Sequence, residues 1–184
     1  LKRLPLHAWL AAAVVATLFN AGAALPPNII FIFIDDLGWK DIGCYGNDFI
    51  ETPRIDQLAE EGMRFTRHYS GSPVCAPSRA TLLTGLHTGH AVVRDNDEMT
   101  ERGDVWGDTL IEGNHPLPPG TYTIGRMLQD AGYVTAAIGK WHLGYGSERH
   151  DFRKPLSPGP LDIGFDYHFA IPQNHGDASG VYVR

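Results

Sequence analysis

The chain has 184 residues, and its 43% hydrophobic and 20% charged content is that of an ordinary globular protein large enough to build a core. Its formal net charge of −6 excludes a strongly basic surface, so we expect no nucleic acid partner, and an anionic ligand would have to meet local positive charge. The 21 glycines and 13 prolines predict a chain rich in loops.

The first 24 residues have the pattern of a secretory signal peptide. Lys2 and Arg3 precede an apolar segment at residues 8–19, and small residues at 21–24 provide a cleavage site. The apolar segment is short for a membrane span, so we expect no stable span, with an uncleaved anchor as the alternative. We therefore predict a secreted or periplasmic protein whose mature part covers residues 25–184.

A buried strand is predicted at residues 28–34, where the letters NIIFIFI form an unbroken apolar run. Asp35 and Asp36 follow directly, at the end of a strand where open α/β sheets bind ligands. Adjacent carboxylates repel each other, and a divalent cation relieves the repulsion; their oxygen atoms favour Ca²⁺ or Mg²⁺. The alternative is a solvated turn, in which aspartate is common. The pair is therefore a candidate metal site.

The next elements lead to a cysteine at the start of a helix. Thr52 and Gly62 bracket a predicted helix as N-cap and stop, and residues 63–69 alternate as a strand does. Turn-forming residues then precede Cys75, and Gly85 ends a second helical pattern. Cys75 is therefore expected on a loop at a helix N-terminus, where free backbone N–H groups favour an anion.

Cysteine usage leaves a second interpretation open. The chain has two cysteines, Cys44 and Cys75, and a disulfide between them is the default in an exported protein. Such a disulfide would suit a non-catalytic, disulfide-bonded binding module. Spacing alone does not decide between the disulfide and a functional Cys75.

A second strand is predicted after a further helix. Thr121 or Thr123 caps this helix, Gly132 ends it, and an apolar strand follows at residues 133–139. If this strand runs parallel to the one at residues 28–34, the crossover between them is right-handed. The predicted fold class is α/β, with a mostly parallel sheet flanked by helices.

Two polar residues, Lys140 and His142, follow the second strand directly. Each is unremarkable alone, as a lysine at a strand end and a histidine in a turn. Because the carboxyl ends of parallel strands meet at one rim of a sheet, we expect both to lie near Asp35 and Asp36.

Two other features are interpreted as loops. His87 and His90 lie three residues apart, but no nearby cysteine or carboxylate completes a tetrahedral zinc set. Residues 94–119 are charged and lack periodicity, so we expect a long surface loop of the kind that is often functional.

Four short stretches resemble those of the type I sulfatases, and they occur in that family's order. CAPSR at residues 75–79 resembles the signature whose cysteine is oxidised to Cα-formylglycine, and GKWHLG at 139–144 looks like the family's second signature. GFDY at 164–167 resembles the stretch that commonly follows, and Asp35 and Asp36 resemble the paired metal-binding aspartates. The chain thus resembles an arylsulfatase-like, formylglycine-dependent member of the alkaline phosphatase superfamily.

The resemblance implies a reactive group and a metal. Cys75, converted to formylglycine and hydrated, would be both nucleophile and metal ligand. Asp35 and Asp36 would bind the divalent metal, usually Ca²⁺, with Mg²⁺ as the alternative. The hydrate has two hydroxyls: one attacks sulfur as the alcohol leaves, and the second expels sulfate and restores the aldehyde.

The resemblance also implies roles for four further residues. Arg79 would hold the formylglycine and offset charge around the metal. Lys140 would bind the sulfate and a formylglycine hydroxyl, and His142 would hydrogen-bond the formylglycine. Asn174 falls where some relatives carry a substrate-contacting residue.

The implied function is a sulfuric ester hydrolase that acts on an aryl or carbohydrate sulfate after maturation by a formylglycine-generating enzyme. The alternative within the superfamily is a phosphonate or phosphate ester hydrolase. Because enzymes of the family are longer, the resemblance implies that residues 25–184 are the N-terminal part of the catalytic domain, incomplete at the C-terminus and inactive alone.

Overall fold

A parallel strand pair, three α-helices and three 3₁₀ turns make up the residues that the computed structural model describes, which are 25–96, 116–146 and 154–172. The α-helices and strands in chain order are α1 (Pro53–Glu61), α2 (Cys75–Thr84), α3 (Ile124–Asp130), β1 (Ala136–Lys140) and β2 (Tyr167–Ile171). The 3₁₀ turns are Trp39–Asp41, Gly43–Tyr45 and Pro160–Ile163. In these three ranges we find no helix with the length and apolar character needed to cross a bilayer. The parallel sheet with helices confirms the predicted α/β class.

The sheet consists of β1 and β2, which pair in parallel over all five residues of each strand, with Lys140 opposite Ile171. β1 confirms the predicted second strand, displaced toward Lys140. β2 is a strand that sequence analysis missed, because an aromatic stretch hides its alternation. His168 and Ala170 of β2 are buried, and the alternate residues Tyr167 and Phe169 are exposed. The pairing of β1 with β2 therefore fixes the position of Lys140 and of the loop that follows it.

The predicted buried strand at residues 28–34 is wrong. The segment joins no ladder, and Ile30 is 86% exposed. Phe31 and Phe33 line a cavity of about 280 Å³ that lies between this segment, α2 and β1. A strand of this composition needs hydrogen-bonded neighbours and cover on both faces, and the described residues supply only the β1–β2 pair. The strand predicted at 63–69 is wrong for the same reason, since these residues find no partner strand in the described ranges.

The helix ends follow local sequence closely. Gly85 ends α2 in a left-handed conformation, with φ of 67°. Of the two candidates, Thr123 caps α3, and its Oγ1 accepts a hydrogen bond of 3.2 Å from the Arg126 N–H. Thr52 occupies the N-cap position of α1 without capping it, because its hydroxyl accepts from the Gly43 N–H at 2.8 Å instead. This bond ties α1 to the 3₁₀ turn before it.

The core lies between α2 and the loop that follows β1. The Trp141 ring packs edge-on against Phe165, with ring centroids 6.1 Å apart. The buried hydrophobic residues of this core are Ala76, Ala80, Val93, Leu117, Trp141, Leu143, Tyr145, Ile163 and Ala170. The core therefore anchors both the start of α2 and the chain directly after Lys140.

Asp166 fixes the two strands relative to α3. Its Oδ2 accepts from the Thr135 N–H at 2.8 Å and from the Thr135 hydroxyl at 3.0 Å, and its Oδ1 accepts from Gln129 Nε2 at 2.7 Å. The backbone hydrogen bond from Thr135, followed by the hydroxyl bond, lowers the pKa of Asp166. The aspartate of the GFDY stretch thus joins the start of β1, the start of β2 and the end of α3.

Stability should depend on pH through His168. This side chain is 6% exposed beside the Tyr145 ring, and burial lowers its pKa below the ordinary value of 6.5. The unfolded chain therefore binds the proton more tightly, and the free energy of unfolding should fall as pH drops below 6.5, with a slope of at most about 1.4 kcal/mol per pH unit. Denaturant titrations of the full-length protein from about pH 5 to pH 8 measure this slope.

The matched variants are His168→Gln and His90→Gln. His168→Gln should remove the contribution of His168 to the slope, and His90→Gln, at an exposed turn position, is the control for the loss of an imidazole elsewhere. An identical slope in wild type and His168→Gln would contradict the assignment.

Candidate active site at the end of the first strand

Three charged side chains from three separate parts of the chain meet where β1 ends. Lys140 Nζ lies 2.7 Å from Asp35 Oδ2, and Arg79 Nη2 lies 3.0 Å from Asp35 Oδ1. Asp35 follows the apolar segment at 28–34, Arg79 belongs to α2 and Lys140 is the last residue of β1. The expected proximity of Asp35 and Lys140 is therefore present, although the predicted strand before Asp35 is not.

Arg79 is held from several sides. Its Nη1 donates to the Lys140 carbonyl oxygen at 2.6 Å, and its guanidinium carbon lies 5.1 Å from the centroid of the Phe33 ring. Such a contact adds a cation–π attraction to the ion pair. The Arg79 side chain is only 11% exposed. Its Nε is buried without a hydrogen-bond partner in the parts of the chain described here. Arg79 is thus fixed in place, and its Nε–H remains available as a donor.

The electrostatics of this cluster favour an anion. Burial by itself would raise the pKa of Asp35, but hydrogen bonds from Lys140 and Arg79 and their charges outweigh it and lower the pKa below the ordinary value of 3.8. Asp35 is therefore ionised at neutral pH. Two cations and one anion leave one net positive charge on the three side chains, which favours a negatively charged group beside Arg79 and Lys140.

Cys75 lies at the predicted helix N-terminus, as the first residue of α2 and not on the loop before it, and is half-buried. It stands four residues before Arg79, so the two side chains share a face of the helix. Both Cys44 and Cys75 are free. The disulfide considered from the sequence is therefore not formed, and the disulfide-bonded binding module loses its structural basis.

Asn96 contacts Cys75 and was not identified from the sequence. Its Nδ2 lies 3.2 Å from Cys75 Sγ, and its Oδ1 accepts from the Ala76 N–H at 2.9 Å. The one available signal was its position in the loop at residues 94–119, since long loops often carry functional residues. Nothing in the spacing connects Asn96 to a cysteine 21 residues earlier.

Asp36 and His142 share an unusual backbone conformation. Their φ angles are 56° and 57°, and in the described ranges they are the non-glycine residues with positive φ. A left-handed conformation costs a non-glycine residue about 1–2 kcal/mol, and such strain concentrates at functional sites. His142 is 3% exposed, and its backbone N–H donates to the Pro172 carbonyl oxygen at 2.9 Å. Asp36 is exposed next to Asp35.

The metal-binding capacity of the described residues is partial. Asp35 and Asp36 supply carboxylate oxygens of the kind that Ca²⁺ and Mg²⁺ prefer. Within residues 25–96, 116–146 and 154–172 no group of three or more His, Cys, Asp or Glu side chains is arranged to hold a metal. The two aspartates therefore have the ligand chemistry that a divalent cation needs, but they supply only part of a full ligand set. His87 and His90 lie in a turn, as interpreted from the sequence.

Three predicted regions lie outside the described residues. They are the signal peptide at 1–24, the middle of the predicted loop at 97–115, and the segment that contains Asn174.

Together, the fold and the site define an α/β protein whose sheet rim carries a cationic cluster suited to an anion, beside a cysteine at a helix N-terminus. Residues 27–179 match the family model named Sulfatase, and the chain therefore belongs to the sulfatase family. Its fold is the alkaline-phosphatase-like fold of that family, present in part.

Curated relatives share substantial identity with the chain. Arylsulfatase D of Homo sapiens is 43% identical over 149 residues, an alignment that covers 81% of this chain and 24% of the relative. N-acetylgalactosamine-6-O-sulfatase of Bacteroides thetaiotaomicron is 42% identical over 168 residues. This alignment covers 90% of this chain and 30% of the relative. The chain therefore spans about a quarter to a third of the length of these relatives.

Solved structures agree with the sequence relatives. A structure from work on the metabolism of multiple glycosaminoglycans by Bacteroides thetaiotaomicron superposes with a TM-score of 0.70 at 38% identity, covering 87% of this chain and 31% of the other. The crystal structure of Ps i-CgsB in complex with k-i-k-neocarrahexaose gives a TM-score of 0.57 at 30% identity. The superposition covers 76% of this chain and 27% of the other.

Proposed function

We propose that the full-length protein is a sulfatase, a sulfuric ester hydrolase that releases sulfate from an aryl or carbohydrate sulfate ester. The observation that carries this proposal is the convergence of Arg79 and Lys140 on Asp35, with Cys75 one helical turn before Arg79. Two fixed cations offset the charge of a sulfuryl group, and they do so more effectively in a partly buried site than in water.

Cys75 is the proposed position of the nucleophile. Its conversion to a formylglycine hydrate would supply a hydroxyl that attacks sulfur and a second hydroxyl that allows sulfate to be expelled. The free, half-buried thiol at the first position of α2 is compatible with such a modification. Arg79 and Lys140 would bind the sulfuryl oxygens, and His142 would hold the converted side chain by a hydrogen bond.

A divalent metal is part of the proposal. Asp35, Asp36 and the converted residue 75 would hold Ca²⁺, with Mg²⁺ as the alternative, and the metal would act as a Lewis acid toward the reacting oxygen. Asp35 is ionised, which is the form that binds a metal, and each of its oxygens also contacts one cation, Arg79 or Lys140.

The proposed substrate class is drawn from the relatives, which are named for aryl and carbohydrate sulfates. Asn174 is proposed as a substrate contact. We further propose that residues 1–24 direct the protein to the periplasm or outside the cell, and that a formylglycine-generating enzyme acts on it.

The proposal is tested by producing the full-length protein with and without a formylglycine-generating enzyme. Release of sulfate from an aryl sulfate should require that enzyme, should stop when a chelator removes the metal and should return with Ca²⁺ or Mg²⁺. An aryl phosphonate is the comparison substrate. Hydrolysis of the phosphonate without hydrolysis of the sulfate ester, or activity that is independent of maturation, would overturn the proposal.

A further inference from the structure

Asn96 contacts the start of α2 with both ends of its amide. Its Oδ1 accepts from the Ala76 N–H at 2.9 Å, and its Nδ2 lies 3.2 Å from Cys75 Sγ. A backbone N–H can only donate, so the atom that faces Ala76 has to be the amide oxygen. This bond fixes the orientation of the amide, which is otherwise ambiguous, and directs its NH₂ group at the side chain of residue 75.

Asn96 takes the place of a missing helix cap. Val74, at the N-cap position of α2, offers no side-chain acceptor, and Asn96 supplies one from 20 residues beyond Ala76. Asn96 is itself held, because its backbone N–H donates to Asp95 Oδ1 at 2.8 Å. Two hydrogen bonds, one from the Ala76 N–H and one from the Asn96 N–H to Asp95, therefore hold the amide in place beside residue 75.

We propose that Asn96 is a positioning residue for the side chain at position 75. The inference rests on the proposed function, in which this side chain is oxidised from thiol to aldehyde and hydrated. Cys75 Sγ marks the place that an oxygen atom takes after conversion, and oxygen accepts a hydrogen bond more strongly than sulfur. The NH₂ group of Asn96 would donate to that oxygen and limit rotation of the side chain, which keeps the reactive group in one orientation at the start of α2, one helical turn before Arg79.

The test separates capping from positioning. Asn96→Asp keeps an oxygen for the Ala76 N–H but loses the NH₂ group, and Asn96→Ser loses the NH₂ group without adding charge. In the converted full-length protein both variants should lower kcat on an aryl sulfate by about ten- to a hundredfold, with KM within about threefold of wild type. The melting temperature of Asn96→Asp should stay within about 2 °C of wild type. Rates are expressed per formylglycine, measured from the mass of the peptide that contains residue 75.

Asp95→Asn is the matched control, because it changes one charge next to Asn96 and keeps an acceptor for the Asn96 N–H. It should leave kcat and KM within about twofold of wild type. If Asn96→Asp and Asn96→Ser keep wild-type kcat while Asn96→Ala lowers the melting temperature, Asn96 is a cap only and the inference is wrong. An active wild type with unaffected variants overturns this inference alone, whereas a wild type without formylglycine and without sulfate release overturns the proposed function.

Discussion

Cys75→Ala in the full-length protein is expected to abolish sulfate release, lowering kcat/KM by at least about 10⁴-fold. Alanine cannot be oxidised to an aldehyde, so both the proposed nucleophile and the hydroxyl needed to expel sulfate are lost. The substitution is mild for the fold, because Cys75 begins α2 and alanine is a good helix former. Sulfate release from an aryl sulfate is the measurement, with the melting temperature as the check on folding.

Cys44→Ala is the control for the loss of a thiol. Cys44 contacts Asp56 through its backbone N–H, which donates to Asp56 Oδ1 at 2.6 Å. The substitution does not remove this bond, because it changes only the side chain. This variant should keep activity within about twofold of wild type. In the wild type, the peptide that contains residue 75 should be about 18 Da lighter than the unconverted peptide, as replacement of a thiol by an aldehyde requires. Sulfate release that persists in Cys75→Ala would defeat the assignment.

Arg79→Ala is expected to lower kcat/KM by about 10²- to 10³-fold, equivalent to about 2.7–4 kcal/mol of transition-state stabilisation. The change removes the ion pair with Asp35 and the hydrogen bond to the Lys140 carbonyl oxygen. Lys140 would then face Asp35 without the second cation, and the site would lose its net positive charge. Steady-state kinetics of the converted full-length protein measure the effect.

Two variants make the Arg79 result specific. Arg79→Lys keeps the charge but not the planar guanidinium that reaches Asp35 and the Lys140 carbonyl together, so it should restore only part of the activity. Arg54→Ala removes an exposed arginine of α1 whose partner is Gln57, and it should leave kcat/KM within about twofold. Equal losses in Arg54→Ala and Arg79→Ala would show that overall charge, and not the site, is responsible.

Much of the site could be predicted from residues adjacent in the chain. Cys75 begins a helix that ends at Gly85, Thr123 caps α3, and Lys140 ends β1. These features depend on caps, glycine conformations and strand propensity, which act over a few residues. The expectation that Lys140 lies near Asp35 also holds, although its premise does not, because the strand predicted before Asp35 is not formed in the described residues.

Features that depend on distant partners could not be predicted in the same way. The apolar run at residues 28–34 reads as a buried strand, but a strand forms only when other strands offer hydrogen bonds, and the described residues offer none to this segment. β2 was missed for the converse reason. Its own sequence does not predict a strand, and it forms one because β1 provides the hydrogen-bonding partner. Strand formation is a property of the pair and not of one segment.

The amino-acid sequence by itself identified the residues that we propose for the chemistry and determined where the helices start and stop, because motifs and caps are local. Only the tertiary structure decided that Arg79 and Lys140 share one carboxylate, Asp35, and that the amide of Asn96 faces Cys75. Lys140 lies 105 residues from Asp35 in the chain, and contacts over such distances depend on how the strands, α2 and the loops pack together.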